Sequence, residues 1–135
     1  MKKKGFTLVE LLGVITILGI IALIIIPVVE NSNKRIKKKA YEKQKDAIIL
    51  ALKDYRTSTP ELFYTTDVVN ITLGELKELG FIDYDLRNPK TEMCISNDLQ
   101  LKIEKFHNNY EYSIIGDELI DGNEYDCDVE YVTSE

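Results

Sequence analysis

Lys4-Gly5-Phe6-Thr7-Leu8-Val9-Glu10-Leu11-Leu12 opens an apolar run that continues to Ile24-Ile25-Ile26-Pro27-Val28-Val29. From Phe6 to Val29 the only ionisable side chain is Glu10, and the nineteen residues from Leu11 to Val29 carry none. A helix of that length and composition is enough to span the hydrocarbon core of a bilayer. A carboxylate near its start is expensive to keep in an apolar medium, so Glu10 points to a function. The plain alternative is that Glu10, only four residues into the stretch, reaches the headgroup layer. The run does not read as a cleaved secretory signal, because no small-residue A-x-A-like site follows it.

Moving outward, the charge is segregated. Lys2, Lys3 and Lys4 precede the run, and Lys34, Arg35, Lys37, Lys38, Lys39, Lys43 and Lys45 follow it. From Thr57 onward there are 18 acidic and 5 basic side chains, a net of about −13, so the formal net charge of −6 hides a basic neck and an acidic head. An acidic head disfavours nucleic-acid binding by counterion release. The neck lysines suit a solvated face near lipid headgroups, or a face that meets acidic heads. With 135 residues, the chain has room for one domain of ordinary size beyond the apolar segment.

The stretch Lys4 to Leu12 resembles the processing site of type IV prepilins and type II secretion pseudopilins, and the likeness extends to about Val29 without a departure. The resemblance implies cleavage between Gly5 and Phe6 by a prepilin peptidase, and N-methylation of Phe6. It also implies that Glu10 neutralises the α-ammonium of a neighbouring subunit's Phe6 inside a filament, where a lone buried charge would be costly. Pro27 falls where the family often has a helix-kinking proline. The implied organisation is a cytoplasmic leader over residues 1–5, a transmembrane and filament-core helix over 6–30, and an extracytoplasmic head over 31–135. The implied partners are the peptidase, other copies and other pilins, a membrane assembly platform, and lipid before assembly. The implied location is the cytoplasmic membrane in a single pass, then an extracytoplasmic filament. One rule opposes this orientation: more Lys and Arg follow the apolar segment than precede it, which alone would place the head inside the cell.

Helical patterning continues past the membrane segment. Ile36, Ala40, Ala47, Ala51 and Tyr55, with Ile48 and Leu52 beside them, form an amphipathic stripe, and no Gly or Pro lies between Asn31 and Ser58. One helix from about Phe6 to Arg56 would measure about 75 Å, ending at Thr57-Ser58-Thr59-Pro60. Thr72 and Glu75 form a capping box for a short helix with Leu73, Leu76 and Leu79 on its apolar edge, and Gly80 stops it. Asn88-Pro89-Lys90-Thr91 reads as a turn. Strands are expected at Met93–Ile95, at Leu99–Ile103 and Tyr110–Ile114 as a hairpin, and at Tyr125–Tyr131, where apolar and polar residues alternate. The expected class is α+β, a long N-terminal helix packed against a small antiparallel sheet, which is the pilin arrangement.

Two cysteines in an exported head invite a disulfide between Cys94 and Cys127, and a bridge tying down a C-terminal loop is familiar in the family. Two separate buried thiols are the alternative. Asp117, Asp121, Asp126 and Asp128 surround Gly122, and oxygen ligands in such a loop suit calcium, as in some major pseudopilins. Their spacing matches no EF-hand, and acidic loops are commonly just solvated. His107, the single histidine, sits in the hairpin turn with no nucleophile beside it, so no catalytic residues are expected and no other cofactor is called for. The function expected is a structural filament subunit (pilin, minor pilin or pseudopilin). The alternatives are a signal-anchored extracellular binding domain that does not polymerise, and a minor pilin with an adhesive or DNA-uptake role.

Overall fold

The structure, a computed structural model, describes residues 5–128. It divides into two compact units, Met1–Lys37 and Lys38–Glu135. The first helix, α1, covers Leu8–Ser58 and contributes to both. In the first unit its apolar side chains are exposed: Leu8 84%, Leu12 60%, Leu23 77%, Ile24 65%. This segment is long and apolar enough to cross a membrane. Helical geometry satisfies its backbone internally, and the one hydroxyl past Glu10 in the run is satisfied too, since Thr16 Oγ1 donates to the Leu12 carbonyl at 2.7 Å. Pro27 lies inside α1, which continues through it although proline supplies no amide to the ladder.

The second unit is the head. Its three-stranded antiparallel sheet, in the order β1-β2-β3, consists of Val68–Thr72, Gln100–Phe106 and Asn109–Ile114. Register follows the pleat. Ile71, Leu101 and Ile114 align across the strands on the inner face, as do Val69, Ile103 and Tyr112. The outer face carries Asn70, Lys102 and Ser113, so one face packs and the other meets solvent. The α1 side chains Tyr41, Ile48, Ala51 and Leu52 join that inner face in a single core, together with Phe63, Leu73, Leu76, Ile95, Leu99 and Leu119. A two-residue turn, His107-Asn108, closes the β2–β3 hairpin, with His107 at φ 56°. The α+β pilin-like class is thus the observed one.

Several local expectations hold. Helix α2, Leu73–Glu78, has the capping box: Glu75 N donates to Thr72 Oγ1 at 3.2 Å, and Thr72 N to Glu75 Oε2 at 2.7 Å. Gly80, at φ 80°, ends it in a Schellman motif, with Gly80 N bonded to the Lys77 carbonyl and Phe81 N to that of Leu76. Glu92 N and Thr91 N both reach the Asn88 carbonyl, closing the turn at Pro89.

Others are corrected. The buried stripe of α1 runs through Tyr41, Ile48, Ala51 and Leu52, while Ile36 and Ala47 are exposed and Ala40 is only half-buried. The spacing fits two apolar faces of one helix, and only the sheet selects between them. Leu79 is 56% exposed, because α2 ends before its side chain turns inward. Strand β1 was not expected: its partner β2 is about thirty residues downstream, and Thr72 both ends the strand and caps α2. Met93–Ile95 forms only isolated bridges, Arg87 with Cys94 and Ile95 with Asp121. Tyr125 to Cys127 lies in a 3-10 turn, Glu124–Cys127, not a strand. There the Asp126 carboxylate captures the backbone amides of Asn123 and Asn97, which coils the chain locally. The rest of that expected strand, Val129 to Tyr131, lies outside the described residues.

Candidate assembly site

At the start of α1, Gly5 and Phe6 lie in exposed, non-helical chain, with no atom near the position a Gly5 side chain would take and Phe6 85% exposed. A peptidase needs a reachable bond, and the Gly5–Phe6 bond is exposed. Thr7 is the N-cap. Glu10 N donates to Thr7 Oγ1 at 3.2 Å, and Thr7 N donates to Glu10 Oε2 at 2.9 Å. This reciprocal pair is a capping box, and it places a carboxylate against the positive end of the helix dipole. Thr7 was assigned no role from sequence, although the Thr-x-x-Glu spacing that reveals Thr72 also marks Thr7. Glu10 shares a shallow apolar concavity with Phe6, Leu11, Gly13, Val14 and Ile17, in which it is the sole ionisable side chain. In an apolar setting this site can hold one carboxylate on local donors, or offer it to a cation from outside.

In the head, Cys94 and Cys127 are joined by a disulfide with Cα atoms 5.8 Å apart. It fastens the segment 117–128, which further bonds tie down. Lys45 Nζ meets Asp117 Oδ1 at 2.7 Å, and that carboxylate holds the Lys45 ammonium above its usual pKa. The Tyr41 hydroxyl accepts from Leu119 N at 2.9 Å. Arg87 spans Asp85 and Glu124. Gly122 is required by close approach: a side chain there would come within 2.1 Å of Asp126 Oδ2 and 2.8 Å of Ser96 Cα.

Lys77, on α2, is fully buried under this segment. Its Nζ donates to Asn97 Oδ1 and to the Asp126 carbonyl, each at 2.7 Å. Burial pushes its pKa down to about 8, opposed by the nearby Asp126 and Asp85 carboxylates. Nothing in the sequence singled it out, since a lysine next to an apolar helix edge normally faces water.

Three of the four aspartates considered for calcium have separate side-chain partners. Asp117 holds Lys45, Asp121 Oδ1 accepts from Asn88 Nδ2 and Thr91 Oγ1, and the Asp126 carboxylate accepts two backbone amides. Asp128 caps the 3-10 turn, its amide donating to the Tyr125 carbonyl. The structure does not draw these four together. Among the described residues, the one convergence of three metal-competent side chains is Asp85, Cys94 and Cys127, whose two sulfurs are bonded to each other.

Comparison with known proteins bears on the N-terminus and on the whole chain. The prokaryotic N-terminal methylation motif family matches residues 1–26. The competence protein ComGC of Bacillus subtilis (strain 168) is 31% identical over 108 residues, covering 77% of this chain and 99% of that protein. No solved structure matches.

Proposed function

The chain belongs to the type IV pilin-like family that includes the competence protein ComGC, and from that premise we propose that it is a filament subunit of the competence type, made as a prepilin. In this reading the peptidase removes residues 1–5 on the cytoplasmic side and methylates the new amine of Phe6. The subunit then leaves the membrane for the filament, α1 entering the core and the acidic head the surface. Glu10 exchanges its local donors for the α-ammonium of a neighbour.

The observation that carries this proposal is the junction at Thr7. An exposed Gly5–Phe6 bond leads directly into a capped apolar helix whose side chains, from Phe6 to Val29, are exposed. So large an apolar surface is stable only in lipid or against copies of itself. The two destinations follow each other in time. The orientation with the leader inside runs against the count of basic residues around the helix. The family's processing chemistry decides for it, because the motif occupies the leader side.

The test is the intact mass and N-terminal residue of the membrane-extracted protein, with and without the host's prepilin peptidase. An N-methylated Phe6 terminus that depends on the peptidase is expected. An unprocessed Met1 terminus in both hosts would refute the proposal and favour a signal-anchored domain. Glu10→Gln is expected to insert and be processed, yet to be nearly absent from sheared filaments.

A further inference from the structure

The buried amine of Lys77 meets the carboxamide of Asn97, and the fold holds both partners from several sides. Lys77 is fully buried, and its Nζ donates to Asn97 Oδ1 and to the Asp126 carbonyl, each at 2.7 Å. The backbone of Asn97 is fixed at both ends. Its amide donates to Asp126 Oδ1 at 3.0 Å, and its carbonyl accepts from Gly74 N at 3.0 Å. Gly74 lies one turn before Lys77 on α2, and a side chain there would come within 3.1 Å of Asn97 Cβ. The bare glycine lets Asn97 lie against the helix, so its carboxamide reaches the turn from which Lys77 projects on the same face. An amine nitrogen at this distance from an amide oxygen lies about 3.5 Å from the carbonyl carbon, the separation of a near-attack pair.

We propose that Lys77 and Asn97 close an intramolecular isopeptide bond, which locks α2 to the loop leading into β2. The nucleophile is the uncharged Lys77 amine, the form that burial favours. With a pKa of about 8, part of the population is uncharged near neutral pH. Nζ attacks Asn97 Cγ, the bond from Cγ to Nδ2 breaks, and a new amide joins Nζ to Cγ. Two protons leave the lysine ammonium and both depart on the leaving nitrogen, as ammonium. No oxidant, reductant or further reactant is needed. The Asp126 carboxylate, whose charge acts on the Lys77 ammonium, receives a proton from Nζ and returns it to the departing nitrogen. Asn97 is half-buried, which leaves the released ammonium a way to solvent. An amide is a weak electrophile, so closure is slow and freshly folded chain still carries the free amine. Fixed orientation in a site closed to water makes the reaction possible in the folded head and not in the unfolded chain. The new bridge spans 20 residues and overlaps the Cys94–Cys127 loop, which spans 33. Together they join α2, the segment 94–97 and Cys127 in one covalent network. The proposal does not depend on the filament reading.

The test is the intact mass of the detergent-solubilised full chain, freshly prepared and after days of incubation at mildly alkaline pH, followed by peptide mapping. The incubated chain is expected to lose one ammonia, about 17 Da, and to yield a branched peptide joining Lys77 to Asn97 with no tryptic cleavage after Lys77. Lys77→Met and Asn97→Ala are expected to keep their full mass. Circular dichroism and oxidation of Cys94–Cys127 serve as folding controls. Asp126→Asn keeps the size of the side chain and is expected to slow the mass loss about tenfold in a chain that passes the same controls; an unchanged rate would refute the carboxylate's part. An unchanged mass in the incubated, folded chain would overturn the proposal. The same mass loss in Lys77→Met would overturn it too, because an asparagine can also lose ammonia by cyclising on its own backbone.

Discussion

Replacing Lys77 with methionine should change how the stability of the head depends on pH, and the direction follows from the structure. Lys77 is fully buried, bonded at 2.7 Å to Asn97 Oδ1 and to the Asp126 carbonyl. Burial lowers its pKa from 10.5 to about 8. This is the reverse of the usual surface lysine, whose pKa rises on gaining a partner. Between those two values the unfolded chain holds a proton that the folded chain has released, so folding stability must rise with pH through the window. The full shift corresponds to about 3 kcal/mol at about 1.4 kcal/mol per pK unit, of which about 2 kcal/mol develops between about pH 7 and about pH 9.5. Lys77→Met lacks the titrating group and keeps a similar volume. Denaturant unfolding of the detergent-solubilised full chain, followed by circular dichroism, would be run on both proteins at the two pH values. Subtracting the variant's pH response removes the common contribution of the tyrosines and the other lysines. The expected difference is a gain of about 2 kcal/mol for the unaltered protein over the variant as pH rises. Parallel responses would refute the reasoning, because they would mean that Lys77 is hydrated in solution.

Two further outcomes are expected. Cys94→Ser should destabilise the head by about 3–4 kcal/mol, the chain-entropy value for a loop closed across a separation of 33 residues, with early proteolysis in the segment 117–128; a denaturation midpoint equal to that of the unaltered protein would contradict this. Thr7→Val removes the hydroxyl that accepts from Glu10 N while leaving Glu10 in place. It should loosen the first turn by about 1 kcal/mol, raising amide exchange there about fivefold in micelles, and unchanged protection at Leu8 to Glu10 would show that the box does not hold the helix start.

Much of the fold is legible in short stretches. The Thr-x-x-Glu box at Thr72 and the glycine at Gly80 bound α2 because caps and stops are chemistry between residues a few positions apart. The β2–β3 hairpin is legible for the same reason, as its strands alternate on either side of a two-residue turn. Strand β1 is hidden because its hydrogen bonds go to β2, far along the chain. The 124–127 turn is hidden because alternation of Tyr125 and Cys127 with acids suits a strand equally well, until Asp126 finds the amides of Asn97 and Asn123.

By itself, then, the sequence determined the apolar helix and its single carboxylate, the motif before it that resembles a processing site, and the α+β character of the head. Each depends on periodicity or on residues within a turn of one another, where the chain's covalent geometry already fixes the distance. Only the tertiary structure decided which of α1's two apolar faces is buried. It also decided that Lys77 is buried and that Asp117, Asp121 and Asp126 have separate partners. Those outcomes depend on which distant surfaces meet. When Ile71, Leu101 and Ile114 joined Ile48 and Leu52 in one core, Leu50 on the other side of α1 was left facing outward, and no local rule of helix or strand encodes that choice.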